Sequence, residues 1–130
     1  MSDEGKEQIS KWLRAAPAVR GMLMRGVRFP DQTFVSDVDA RDFPLSALEQ
    51  AWRVVDDTFQ VLSAKDFPPT RLSWVYERSV LHCVQHPDGT IFGVFLARKS
   101  AEADTNGLNR LLEEFQNLQL AGSGGETGPQ

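Results

Sequence analysis

Ile91-Phe92-Gly93-Val94-Phe95-Leu96-Ala97 is a run of seven residues with no charge, polar side chain or proline. A strand with one wet face alternates apolar and polar side chains, so a run that is apolar at both parities describes a strand covered on both faces. Just before it, His86-Pro87-Asp88-Gly89 reads as a hairpin turn: Pro pre-sets a type I turn and Gly accepts the left-handed conformation of the bulge that follows. Residues 70–85, on the other side of that turn, contain neither Gly nor Pro. They are too many for one ordinary strand, which places a tight reversal near Glu77-Arg78.

Counting side chains across these two turns gives two faces, because residues paired across a hairpin point to the same side of a sheet. One face collects Leu72, Trp74, Tyr76, Leu81, Cys83, Ile91, Phe95 and Ala97, and the other Val75, Val80, His82, Val84, Phe92, Val94 and Leu96. Both are apolar, so a sheet with one solvated side is excluded.

The helices that must cover those faces are legible on either side. Leu45, Leu48, Trp52, Val55, Phe59 and Leu62 alternate spacings of three and four, which predicts one long amphipathic helix. Pro44 and a Ser46-x-x-Glu49 capping box open it, and Pro68-Pro69 forbid its continuation. Upstream, Ile9, Trp12, Leu13 and Ala16 predict a helix over 4–16, stopped by Pro17. Extended stretches at 19–27 and 33–38 then form a hairpin about Phe29-Pro30-Asp31-Gln32. A last helix over 106–120 carries Leu108, Leu111, Leu112, Phe115 and Leu118 on one side, with Arg110, Glu113, Glu114 and Asn117 largely opposite. The expected fold class is α/β (α+β), a five-stranded antiparallel sheet with helices on both faces in the order α-β-β-α-β-β-β-α. Residues 1–120 form its single domain, and the Gly-rich residues 121–130 are read as a flexible tail.

Composition narrows the function. The chain has 130 residues, 41% hydrophobic and 25% charged, ordinary values for one folded domain. No apolar run reaches the roughly 18–20 residues of a membrane span, and Met1-Ser2-Asp3-Glu4 is acidic where a signal peptide is basic. A single cysteine suits a reducing compartment, so the expected location is cytoplasmic. The formal charge of -4 argues against nucleic acid, whose binding draws its affinity from neutralised phosphates.

Side chains with chemical potential read mostly as structure. In His82-Cys83-x-x-His86, neighbouring strand residues point to opposite faces, and the two histidines lie about 13 Å apart at ~3.3 Å per residue, too far to share an ion. Asp37-x-Asp39-x-x-Asp42 lacks the Gly and distal Glu of a calcium loop and reads as a solvated connection. Neither a phosphate-binding Gly-rich loop ending in Lys-Ser/Thr nor a Gly-x-Ser-x-Gly elbow occurs. The expectation is a protein that is not an enzyme and holds no cofactor or metal. Arg20, Arg25 and Arg28 read as solvent-exposed charges rather than a clamp for an acidic partner.

Four segments carry a family resemblance: Gly26-Val27-Arg28-Phe29-Pro30-Asp31, the long helix from Leu45 to Leu62, the Pro87-Asp88-Gly89 hairpin, and Thr105-Asn106-Gly107-Leu108-Asn109-Arg110-Leu111-Leu112. Over residues 4–120 the chain resembles the roadblock-type dynein light chain family, whose bacterial and archaeal members include regulators of small Ras-like GTPases. The resemblance implies a homodimer in which the long helix and the following strand meet their copies to give one continuous sheet. It also implies a small GTPase or a larger multiprotein complex as partner. The candidate dimer interface is then Arg71, Leu72, Ser73, Trp74, Val75 and Tyr76 on the strand, with Glu49, Arg53 and Asp56 on the helix. Residues 71–77 suit this, having neither Pro nor internal charge to prevent edge-to-edge pairing. The competing reading is a small acidic secretion-type chaperone. It is disfavoured because such chaperones look like they place three strands before the middle helix, where this chain offers two.

Overall fold

The apolar run from Ile91 to Ala97 is the middle strand of the sheet. The computed structural model describes residues 3–37, 45–67, 69–98 and 104–120. Its elements are α1 (Asp3–Ala15), β1 (Met22–Arg28), β2 (Phe34–Asp37), α2 (Leu45–Ala64), β3 (Arg71–Val75), β4 (Ser79–Gln85), β5 (Ile91–Ala97) and α3 (Thr105–Gln116). The strands lie in the order β2-β1-β5-β4-β3, each antiparallel to its neighbours. The α-β-β-α-β-β-β-α order and the five-stranded sheet are as the sequence predicts.

Both turns fall where expected. Tyr76 donates its N–H to the Ser79 carbonyl across Glu77-Arg78. Gly89 adopts a φ of 100° and donates to the His86 carbonyl, while Asp88 Oδ1 accepts from the Thr90 N–H at 2.9 Å. The resulting register pairs Leu72 with Cys83, Trp74 with Leu81, Leu81 with Phe95, and Cys83 with Gly93 on one face. Val84 with Phe92 and His82 with Val94 pair on the other.

Each face has its own core. Met24, Leu48, Trp52, Val55, Phe59, Leu81, Cys83 and Ile91 form one between α2 and the sheet. Ile9 and Leu13 of α1 and Leu108, Leu111, Leu112 and Phe115 of α3 close over Val27, Val84, Phe92 and Val94 on the other. Here Trp12 meets Phe92 edge-on at 5.1 Å, and its Nε1 donates to Glu114 at the protein surface.

α3 is shorter than its apolar pattern predicts. Asp104 caps its start, accepting from the Gly107 N–H at 2.9 Å, and Asn117 ends it. Leu120 nonetheless stays buried beyond the helix, because burial does not require helical backbone. Pro44, Pro68, most of the acidic connection after Asp37, and the tail 121–130 lie outside the described residues.

One expectation is overturned. Arg25 and Arg28 are not solvent-exposed charges: they are 3% and 7% exposed. Arg25 donates from Nη1 to the Pro17 carbonyl and from Nη2 to that of Ala16, tying the end of α1 to β1. Arg28 points to the α2 side, where its guanidinium lies 3.7 Å from Asp56. Continuous burial across β1 forces both side chains inward, where only a carbonyl or a carboxylate makes a guanidinium tolerable.

Candidate functional site

β3 lies at one border of the sheet, with β4 on one side and, among the described residues, no strand on the other. The hydrogen-bond phase says which of its backbone groups are free. Tyr76 pairs with Ser79 through the backbone, so by alternation Trp74 and Leu72 also turn their N–H and C=O toward β4. Arg71, Ser73 and Val75 therefore turn theirs to the open edge. Val75 is 65% and Tyr76 43% exposed, whereas Leu72 and Trp74 are half-buried against the core beneath α2.

On the opposite sheet face, Ser73 and Arg71 converge on one histidine. Ser73 Oγ and Arg71 Nη2 each lie 3.0 Å from His82 Nδ1, and Arg71 Nη1 donates to Asn109 Oδ1 of α3 at 2.7 Å. A guanidinium can only donate, so this nitrogen is the acceptor and the ring is neutral. Burial first, and then the Arg71 charge, hold the His82 pKa below its ordinary value. The cross-strand pairing of Ser73 with His82 brings this cluster together, and only the register reveals it.

The nine candidate interface residues fall into two groups that the structure does not bring together. Six follow the β3 border. The other three, Glu49, Arg53 and Asp56, lie on the flank of α2 that faces β1 and β2. Asp56 meets Arg28 there, and Glu49 and Arg53 line an open groove of about 430 Å³ with Arg28, Gln32, Thr33 and Phe34. β5 and β4 separate that groove from β3.

The α2 flank opposite this charged one is uncharged. Ala47, Ala51, Val54, Thr58 and Val61 follow one another at spacings of four and three, so they share a helix side running from the β4–β3 side to the outward face. Val54 and Val61 are each 53% exposed, while the Thr58 hydroxyl satisfies itself on the Val54 carbonyl at 2.7 Å. Beside the β3 border, this leaves an uncharged surface on the helix. The sequence carried the signal, since a wheel drawn through α2 has one charged and one uncharged flank about its buried stripe, but which flank adjoins β3 depends on how the helix lies on the sheet.

The remaining chemical candidates are engaged in packing. Cys83 is fully buried between Leu72 and Gly93, and burial pushes its thiol far above the ordinary range. His86 belongs to a different cluster from His82, with Nε2 2.8 Å from the Leu118 carbonyl and Nδ1 3.1 Å from Asp88. Among the described residues, no group of three or more His, Cys, Asp or Glu is placed to hold a metal ion. Beneath α2, the space between Met24, Ala51, Trp52 and Phe95 is about 10 Å³, too little for an organic ligand. No described helix is long and apolar enough to cross a membrane.

No family model matches the sequence, and no curated protein is similar to it in sequence. Comparison of folds does find a match. The chain is similar to a solved structure of Myxococcus xanthus MglB, with a TM-score of 0.57 over 73% of this chain and 80% of that one, at 5% sequence identity. The likeness is one of fold, and it supports the roadblock-type architecture that the four sequence segments resemble.

Proposed function

We propose that this chain is a non-enzymatic, homodimeric interaction module of the roadblock type that regulates a small Ras-like GTPase or scaffolds a complex containing one. The observation that carries this reading is a pair of adjoining surfaces: the β3 border, whose outward backbone groups have no strand beside them among the described residues, and the uncharged flank of α2. An open edge strand without internal charge, proline or a bulge is a liability that monomers usually guard against. Here it is flanked by further apolar surface, as an edge meant for pairing would be. The second copy then uses β3 and the Ala47–Ala51–Val54–Thr58–Val61 flank of α2. Glu49 and Arg53 remain outside the dimer seam and available to a different partner. The roadblock-type fold favours a GTPase for that partner.

Sedimentation equilibrium of the purified chain, followed by titration with a panel of small GTPases loaded with GDP or a non-hydrolysable GTP analogue, tests the two halves separately. The expected result is a dimer that binds at least one GTPase with a preference for one nucleotide state. A monomer at high concentration would remove the dimer, and a dimer indifferent to every GTPase would remove the regulatory role.

A further inference from the structure

We infer that two copies of β3 pair antiparallel about a two-fold axis passing through Ser73, an arrangement that rests on the dimer reading above and specifies its register. In an antiparallel pair, residues that exchange backbone bonds alternate with residues that do not. Only Arg71, Ser73 and Val75 present their N–H and C=O to the open edge. An axis at Leu72 or Trp74 engages two of these three, and an axis at Arg71 or Val75 engages one. With the axis at Ser73, Arg71 pairs with Val75 of the other copy, Ser73 with its own copy, and Val75 with Arg71, so every outward group is satisfied.

The side chains favour the same register. It places Leu72 opposite Trp74 of the other copy, extending the apolar row beneath α2 across the seam. It sets each Arg71 against a valine and keeps the two guanidinium groups apart, whereas an axis at Arg71 would put like charges directly opposite. The residue at the axis is the smallest in the strand, and its hydroxyl already lies against His82. A five-residue edge does not by itself supply the roughly 800 Å² per partner that a stable interface buries. The uncharged flank of α2 from Ala47 to Val61 adds about 21 Å of helix at ~1.5 Å per residue beside it. A second copy of this chain fits both surfaces at once, because each is its own complement about the axis.

Disulfide trapping in the full chain tests the register. Ser73→Cys brings two thiols to Cα positions about 5.5 Å apart with side chains on the same face, inside the range a disulfide spans. Val75→Cys alone leaves them about 14 Å apart at ~3.4 Å per residue. Under mild oxidation, Ser73→Cys should form covalent dimer at least tenfold faster than Val75→Cys or Arg71→Cys alone, and a mixture of the last two should form the heterodimer. The native chain, with Cys83 buried, should not cross-link. Fastest trapping at residue 71, 72, 74 or 75 would overturn the register while leaving the dimer standing, and a native chain that stays monomeric by sedimentation would overturn both. Amide hydrogen exchange of the unmodified protein gives an independent reading free of folding defects. The Arg71, Ser73 and Val75 amides should gain at least tenfold protection as concentration rises through the dimerisation range, and unchanged exchange there would overturn the proposal.

Discussion

The indole of Trp52 lies on Gly93: a β-carbon placed on that glycine would stand 3.1 Å from Cη2 of the ring. Gly26, paired with Gly93 across β1 and β5, lies beneath the same ring, with Cζ2 3.2 Å from its would-be β-carbon. Two facing glycines make a shallow seat in the centre of the sheet, and the largest side chain of α2 fills it. The fit is one of shape, since the buried Trp52 Nε1 has no hydrogen-bond partner among the described residues. This contact sets how closely α2 approaches the sheet, and therefore where its two flanks come to lie.

Filling that seat should be destabilising. Gly26→Ala would bring a methyl to 2.9 Å from the Val35 carbonyl, part of the neighbouring strand, whereas the three atoms nearest a Gly93→Ala methyl belong to the side chains of Trp52, Cys83 and Leu81. Urea unfolding should show a loss of about 1–3 kcal/mol for Gly26→Ala and a smaller one for Gly93→Ala, the usual scale of overpacking. Equal losses would mean that the Trp52 seat alone sets the cost.

Asp104 holds the start of α3 through the Gly107 N–H. Asp104→Ala removes that acceptor and should lower stability by about 0.5–2 kcal/mol, while Asp104→Asn retains most of it. Thermal or denaturant unfolding of the two variants distinguishes a capping role from a general effect of charge.

The His82 pKa lies below the ordinary value of about 6.5 because the neutral ring is the one that burial and Arg71 favour. A histidine whose folded pKa is depressed binds its proton more readily in the unfolded chain. Its contribution is therefore fully present above about pH 6.5 and declines as pH falls from there toward the folded value. Stability of the native protein should fall more steeply below pH 6.5 than that of His82→Gln, as read by urea midpoints from pH 7.5 to 5. Parallel curves would sink the assignment.

Cys83 is buried and its thiol held well above the ordinary range by burial. A thiol reagent at pH 8 should leave the native protein unlabelled over a period in which the urea-unfolded chain is fully labelled, as counted by mass spectrometry. Rapid native labelling would mean that β3 or β4 opens readily.

The two flanks of α2 should behave differently on self-association. Val54→Asp or Val61→Asp places a charge on the uncharged flank and should raise the dimer dissociation constant at least tenfold, whereas Arg53→Glu, on the groove side, should leave it unchanged. Sedimentation equilibrium decides. The reverse pattern would place the seam on the β1–β2 side of the helix.

Much of this architecture is legible in the sequence, because turn chemistry and periodicity are local. Pro87-Asp88-Gly89 fixed one hairpin, the length of residues 70–85 located another, and the parity of apolar side chains correctly assigned both faces of the sheet. The border position of β3 also follows the reading of residues 71–77 as lacking proline and internal charge. Other features depend on atoms distant in sequence. Nothing local distinguishes an exposed arginine from Arg25 or Arg28, whose burial requires carbonyls of residues 16 and 17 in one case and Asp56 in the other. Likewise, helical spacing sorts the side chains of α2 into buried, charged and uncharged sides, but periodicity has no handedness with respect to a sheet. Only the docking of Trp52 on its two glycines decides that the charged flank faces β1 and β2 and the uncharged one lies toward β3, because the rotation of a helix about its own axis is set by what it packs against.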